Sequence, residues 1–341
     1  MITELYSNSI YMLLTILLFS LAVDLLLGEF PMQIHPVVWI GKIISFFKNI
    51  LIKYDNKIAG LILSIAVIIV SSLIVLIPMA IARYLLPYND MMIYLFKLIA
   101  ILLLTSTFSV KLLLDSARDV EKDLRNNNLN KARQAVSYLV SRDTNELNKE
   151  HVISAVIETL SENIPDSYVS TVFYYSIVGI IASLCGIGDF DVIILAVLAA
   201  FIHRVVDTMD SMVGYKTKEL YNIGFIPAHL DDALNYIPAR FSGALIVVSA
   251  MFLRLNWKNA LFIMRRDANN CDSPNSGYTM ATVAGALNIQ LEKEGVYTLG
   301  DNINPINVDC IEKAVDLARL TIFLVTIFFM FVFMDLILLM L

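Results

Sequence analysis

Ionisable side chains are scarce in this sequence. Asp, Glu, Lys and Arg make up 16% of its 341 residues, where soluble domains carry about 25%. Cysteine is scarcer still: Cys185, Cys271 and Cys310 lie far apart and form no CxxC pair. So neither a zinc nor an iron–sulfur centre is suggested, and the count suits loops facing a reducing cytoplasm. No GxxxxGK[ST] run is present, so any nucleotide binds without a P-loop. GxSxG, HExxH and a GxGxxG in a strand–helix setting are missing too. The net charge is -6 and no Lys/Arg block interrupts it, so no nucleic-acid partner is expected. The first residues lack the basic stretch and small-residue cleavage site of a signal peptide, so the first apolar run is expected to remain as a span.

What fills the chain is apolar, at 58% of residues. Leu5–Val23 is uncharged for 19 residues and closes on Asp24, and Ile58–Ala82 is uncharged for 25 residues between Lys57 and Arg83. Such runs reach the ~20 residues that cross a hydrocarbon core. Met91–Leu114 and Ser167–Gly188 read as further spans, Val192–Ile202 returns after the turn GIGDFD, and Leu320–Leu341 reads as a C-terminal span. Phe241–Leu253 gives only ~20 Å of helix against a ~30 Å core and reads as tilted or re-entrant. No strand alternation or internal repeat stands out. The expected fold is all-α, a single polytopic membrane domain over residues 1–341 with about five to seven transmembrane or re-entrant helices.

Basic residues gather in segments 29–57, 115–166, 203–240 and 254–319, with four, seven, four and seven Lys or Arg. The positive-inside rule puts the first three in the cytoplasm when the N-terminus lies outside. The fourth joins them if Phe241–Leu253 does not cross. Segment 115–166 reads as a cytoplasmic helical insertion, broken at Asn126–Asn128, with Ala132, Ala135, Val136, Leu139 and Val140 on one face. Segments 203–240 and 254–319 read as polar loops that carry the motifs of one cytoplasm-facing site.

Those motifs begin with HRVVDTMDSMVGYK, where an uncharged run ends in a cluster of ionisable groups. On a helix, His203, Asp207 and Asp210 share one face, and two carboxylates so close to a membrane call for a cation or substrate. Ser211, Tyr215 and Lys216 follow. Asp24 and the loop through His35 form a second cluster. In a third, Ser141 or Asp143 is the expected cap of a helix on which Glu158 and Glu162 stand at i, i+4. Pro165 is expected to end that helix beside Asn163 and Asp166. Asp231, Asp232, Asn235 and Arg240 precede the short apolar segment, Arg240 as a phosphate fork. Asp267, Ser273, Asn275 and Gly277 belong to a turn that enters a helix N-terminus, a natural anion cradle.

DLLLGEFPMQIHPVVWIGK, SRDT, ETLSENIPDS, HRVVDTMDSMVGYK, HLDDALNYIPARF and DSPNSGY…AGAL occur in this order. In that pattern the sequence resembles the membrane adenosylcobinamide-phosphate synthases of cobalamin biosynthesis over nearly its whole length. One departure is Asn269-Asn270-Cys271-Asp272, where many bacterial relatives carry a basic stretch with a His. The resemblance implies an amide-forming ligase that joins a propionate carboxylate of adenosylcobyric acid to (R)-1-amino-2-propanol or its phosphate. ATP is then a substrate and Mg²⁺ the cofactor. On that footing Glu158, Glu162, Asp207 and Asp210 are the Mg²⁺ candidates, and His35 or His203 the base for the attacking ammonium. Arg142, Lys216 and Arg240 are the phosphate candidates. The remaining motif residues line the substrates. Partners beyond the substrates are the lipid bilayer and either other corrinoid-pathway enzymes or a second copy of the chain.

Other classes place acids similarly. An intramembrane Mg²⁺-dependent transferase acting on diphosphates also puts Asp-rich motifs at helix ends. A transporter coupling through Asp24 and Asp335 is disfavoured, because the acids gather at span ends and no inverted repeat is visible. A corrinoid-pathway scaffold is disfavoured by the density of acidic motifs.

Overall fold

The structure, a computed structural model, describes residues 2–88, 91–140, 143–293 and 295–340, with side chains from Ser9 to Leu339. Along the chain these form α1 (Ile2–Leu27), α2 (Pro36–Leu51), α3 (Lys57–Leu85), α4 (Met92–Thr105), α5 (Val110–Arg125), α6 (Leu129–Ser137) and α7 (Lys149–Ile164). There follow α8 (Ser170–Leu184), α9 (Asp189–Val213), α10 (Phe225–Phe252), α11 (Trp257–Asp267), α12 (Ser276–Leu287), the strands β1 (Gln290–Lys293) and β2 (Tyr297–Gly300), and α13 (Asp309–Met340). The all-α expectation holds. The one exception is the antiparallel β1–β2 pair, with Leu291 opposite Leu299 and Lys293 opposite Tyr297.

Among the described residues seven helices are long and apolar enough to cross a membrane, and the chain is a multi-pass membrane protein. The side chains of α3 show why. Ile58, Ile62, Ile65, Ile69, Leu73, Ile77 and Ile81 recur every three or four residues and are all exposed. Its buried face carries Ala59, Gly60, Ser64, Ser71 and Ser72 among larger apolar residues. An apolar outside over a small, hydroxyl-bearing inside is the pattern of a helix in lipid.

The chain divides into two compact units. The first comprises residues 1–109, 170–234 and 327–341. In it α8 packs along α9, α3 against α2 and α9, and α1 against α4. Its interior polar groups meet one another: Ser9 and Ser183 hydroxyls lie 2.8 Å apart, and the Tyr175 hydroxyl donates to the Leu13 carbonyl. The expected span Met91–Leu114 is interrupted. α4 stops at Thr105, where the Ser106 and Thr107 hydroxyls donate to the carbonyls of Leu103 and Leu104 and compete with the helical ladder.

The second unit comprises residues 110–169 and 235–326. The helical hairpin α5–α6 breaks at Asn126–Asn128 as expected, with Asn127 at φ 56° and the Asn128 side chain capping α6. Ala132 and Val136 face its interior. α7 starts later than Ser141–Asp143 suggests, because Asn148 is the cap, its side chain accepting from the His151 N–H. Asp143 instead accepts from the Asn145 N–H in a local turn. Ser141 lies outside the described residues. Pro165 does not end the helix. Residues Pro165–Val169 form a π-helical turn that leads into α8. The wider turn needs no i→i−4 bond from the proline nitrogen.

α10 also differs from expectation. Phe241–Leu253 is the C-terminal half of a 28-residue helix that contains Asp231, Asp232, Pro238 and Arg240. At 1.5 Å per residue that helix is ~42 Å long, enough to cross. Its N-terminal half is polar, which hid it from a search for continuous apolar runs. Segment 203–240 is therefore mostly helix, and 254–319 holds two helices, the hairpin and the start of α13.

α11 and α12 approach closely through Gly285, where a Cβ would stand 2.7 Å from the Asn259 carbonyl oxygen and 2.8 Å from Ala260 Cα. Gly285→Val is expected to destabilise the protein by about 2 kcal/mol, the usual cost of overpacking. The check is the melting temperature in detergent. Gly41→Ala, which meets only Met212 Sδ at 3.6 Å, serves as the neutral control.

Candidate active site

The acidic residues of the first unit sit on α9 and the start of α10. His203, Asp207 and Asp210 are on one helix, as their spacing predicts. His203 is buried and stacks on the Tyr174 ring at 5.6 Å, and the Tyr174 hydroxyl donates to the Leu234 carbonyl. Asp207 is engaged by Arg204, whose guanidinium lies 3.0 Å away at i, i+3. Asp210 stands within electrostatic range of Asp232 and Asp207. Its Oδ1 occupies the space beside Gly214, where any Cβ would collide with it. Asp231 lies within electrostatic range of Tyr174. Ser211, Tyr215 and Lys216 are exposed.

Two further first-unit candidates have structural partners. Asp24 is 1% exposed on α1. His35 caps α2, its Nδ1 accepting from the Val37 N–H, while Nε2 lies 3.5 Å from a Glu29 carboxylate oxygen. The cap fixes the ring's tautomer, with the proton on Nε2 towards Glu29.

In the second unit α7 carries Glu158, Glu162 and Asn163. Glu158 is buried and fixed by two hydroxyls, Ser154 on Oε1 at 2.5 Å and Tyr297 on Oε2 at 3.0 Å. Glu162 is exposed and senses Lys293 and Glu158. The Asn163 amide donates to the Thr159 carbonyl. Asp166 lies in the π-helical turn. Burial and the Glu158 charge push the Tyr297 phenol above its ordinary range, so it stays a donor at neutral pH. Burial pushes the Cys271 thiol up to about 11, with Glu162 and Glu158 adding to it, so no thiolate nucleophile forms there.

Arg240, the single Lys or Arg of α10, is firmly held. Its guanidinium lies 3.4 Å from the Tyr236 ring centre and 4.1 Å from that of Tyr278. Nη1 donates to the Tyr236 carbonyl at 2.7 Å and to Asn275 Oδ1 at 3.3 Å. Asn275 is the residue at the N-cap of α12, and its side chain makes no capping bond. The expected phosphate fork and the expected helix N-terminus therefore stand side by side. Ser273 shapes the turn by accepting from the Asn275 N–H. Gly277 packs on the Ala268 carbonyl too closely for a Cβ. Asn235 is buried on α10.

Asp267, expected to line a substrate, is a structural anchor. Both of its oxygens take Arg266, at 2.7 and 2.8 Å, and Oδ2 also accepts the Gly300 N–H. Arg266 reaches on to Asp301, and so ties α11 to β2. Arg142 lies outside the described residues. Sequence reasoning missed Tyr297, Lys293, Tyr236 and Tyr278. Tyr297 and Lys293 required the hairpin, whose one signal is Gly295 in the turn.

Among the described residues no three or more His, Cys, Asp or Glu side chains gather into a metal cage. Mg²⁺ seldom needs one, since it is commonly held by one or two carboxylates and completed by water and phosphate. Asp210, with Asp232 and Asp207 in electrostatic range, fits that donor set. Glu158 fits less well, because both oxygens already take hydroxyl donors.

Burial opposes the Asp267 charge, but Arg266 and the Gly300 N–H outweigh it and hold the carboxyl below the usual carboxylate range. A group with a depressed folded pKa stabilises the fold above its unfolded value of about 3.9, and that contribution fades as the pH falls through the folded value. Asp267→Asn is expected to cost about 2 kcal/mol at pH 7, and the difference is expected to shrink as the pH falls through the folded value of the carboxyl. Melting temperatures of both proteins across that range check the difference.

The model of the family described as CobD/Cbib protein matches residues 17–318. A Methanothermobacter thermautotrophicus protein called "Probable cobalamin biosynthesis protein CobD" is 41% identical over 313 residues, covering 92% of this chain and 95% of its own. Proteins of the same description from Methanocaldococcus jannaschii and Thermoplasma acidophilum are 38% and 32% identical, over 84% and 93% of this chain and 87% and 96% of their own. No solved structure matches the chain. The match runs through α1 to the first turns of α13 and takes in the acids of α7, α9 and α10 and the Arg240 clamp, so the chain belongs to the CobD/Cbib family, with a role in cobalamin biosynthesis.

Proposed function

We propose that the protein is an ATP- and Mg²⁺-dependent ligase. It joins a propionate carboxylate of adenosylcobyric acid to (R)-1-amino-2-propanol or its phosphate, giving adenosylcobinamide or its phosphate. The observation that carries the reading is the Arg240 clamp at the start of α12. A guanidinium held against two tyrosine rings keeps N–H donors for an oxyanion, and the adjoining helix N-terminus offers backbone N–H groups to the same charge.

The chemistry explains why such groups are needed. A carboxylate resists attack by an amine because oxide is a poor leaving group. Transfer of the γ-phosphoryl group of ATP to the carboxylate gives an acyl phosphate and ADP. Attack by the neutral amine then forms the C–N bond, expels phosphate and releases one proton. Arg240 and the α12 N–H groups stabilise phosphate charge as it develops. Asp210 and Asp232 would hold Mg²⁺, which neutralises the triphosphate when bound. His203 is the candidate acceptor of the amine proton; His35 is not, because its Nδ1 lone pair is committed to the Val37 N–H and its Nε2 carries the proton. The seven Lys and Arg of residues 115–166 support a cytoplasmic location for this chemistry, in the cell membrane.

Purified protein incubated with adenosylcobyric acid, Mg-ATP and aminopropanol phosphate is expected to form the amide with one nucleotide cleaved per bond. Nucleotide cleavage with no change in the corrinoid would sink the reading. Arg240→Lys removes the planar fork and its stacking, and is expected to raise the KM for ATP about 10-fold or more, the worth of one charged hydrogen bond. Asp210→Asn is expected to shift the Mg²⁺ concentration for half-maximal rate upward by a similar factor, measured by titrating Mg²⁺ at fixed ATP.

A further inference from the structure

We propose that the corner between α10 and α11, together with the outward face of α11, is a seat for anionic phospholipid headgroups. It lays Phe252, Trp257 and Phe262 into the bilayer surface and sets Arg254, Lys258 and Arg265 against lipid phosphate. This surface is independent of the ligation reading above.

Depth comes first. Within the second unit, the Ser249 hydroxyl of α10 lies 2.9 Å from that of Thr321 on α13. Thr321 stands at the head of the run Leu320–Met334, which carries no charge and takes α13 into the membrane. Within one turn of Ser249, α10 ends at Phe252, so this end reaches the depth of the bilayer surface. Met251, Phe252 and Leu253 are exposed there. α11 continues from the corner. Its buried face carries Ala260, Ile263 and Asp267, and the close approach at Gly285 seats that face on α12. Its outward face carries Trp257, Lys258, Phe262 and Arg265 at helical spacing. Aromatic and basic side chains sharing the free face of a helix are the pattern of one that lies in the membrane interface.

Charge points the same way. Residues 251–266 contain no Asp or Glu, in a chain whose net charge is -6. Arg266 is committed to Asp267 and Asp301. Arg254, Lys258 and Arg265 make no ion pair within 4.0 Å among the described residues. Arg254 adds a separate sign. α10 closes in a Schellman turn, the Leu255 N–H donating to the Ala250 carbonyl and the Arg254 N–H to that of Met251. That puts Arg254 at φ 57°, in the left-handed region where glycine is the usual residue. An arginine kept where glycine would be unstrained points to a use for its charge. Cations alone would suit an acidic protein equally well. The aromatic rings beside them and the depth of the corner favour lipid.

The chain has two tryptophans, Trp39 and Trp257, so Trp39→Phe leaves Trp257 as the single indole reporter. The full-length variant is placed in nanodiscs of phosphatidylcholine mixed with phosphatidylglycerol, one lipid or the other carrying a nitroxide near its headgroup. The lipid nitroxide is expected to quench Trp257 more strongly than acrylamide in the water does. At equal content, labelled phosphatidylglycerol is expected to quench it more than labelled phosphatidylcholine. Lys258→Gln combined with Arg265→Gln is expected to remove that preference, each cation being worth about fivefold at an anionic surface. Arg254→Gly is expected to raise the melting temperature and still lower the preference, whereas a merely structural Arg254 would give the first effect alone. Quenching by acrylamide without quenching by lipid puts the face in water and overturns the seat. Protection from both quenchers means that a protein covers it, and overturns the seat too. Equal quenching by the two labelled lipids, or a preference that survives the double substitution, overturns the headgroup assignment. The depth measurement needs no charge variant, so it decides the matter even if those variants fail to fold.

Discussion

Hydrocarbon offers no hydrogen bonds, and that single constraint orders the rest of the molecule. Every backbone N–H and C=O on a spanning helix has to find its partner within the protein. α3 meets the demand by turning its isoleucines outward and its serines and small residues inward. Elsewhere hydroxyls pair across helices, Ser9 with Ser183, Tyr168 with Thr326 and Ser249 with Thr321. Charge is pushed toward helix ends and the polar segments between spans. The candidate chemistry collects there because the constraint leaves it few other places.

The candidate residues then separate by how they are held. Asp267 is committed to Arg266 and Gly300, and Asp207 to Arg204, so their charges are spent on the fold. Arg240 is held against two tyrosine rings and keeps N–H donors to spare. Glu158 is fixed by two hydroxyls, and Asp210 sits in a space that Gly214 keeps clear. Rigid support with open coordination is what transition-state electrostatics requires, since a group that is already oriented costs nothing to reorient.

The spans α1, α3, α8, α9 and α13 were legible because long uncharged runs have few other readings. α10 was not, because its first half is polar and Pro238 sits inside it. A proline normally ends a helix, so the π-helical turn at Pro165 was illegible too; its wider geometry is invisible in spacing. At the site, the i, i+4 and i, i+7 spacings on α7 and α9 correctly placed acids on shared faces. What spacing could not supply was the partners, since Tyr278 lies 38 positions from Arg240 and Tyr297 lies 139 from Glu158. The β1–β2 hairpin, four residues per strand, is too short for its alternation to register.

One oxygen atom joins several of these threads. Ser154 Oγ gives its proton to Glu158 and accepts the backbone N–H of Glu292 on β1. On the other side, the Tyr297 hydroxyl on β2 reaches the same carboxylate. Both strands are thus wired to a single side chain of α7, one through a shared hydroxyl and one directly. The hairpin register and the orientation of the Glu158 carboxylate are therefore a single mechanical variable. A slip of one residue between the strands would swing Tyr297 to the opposite face and strip one proton donor from the acid. The two-stranded sheet of a helical protein acts as the set-screw of a buried glutamate.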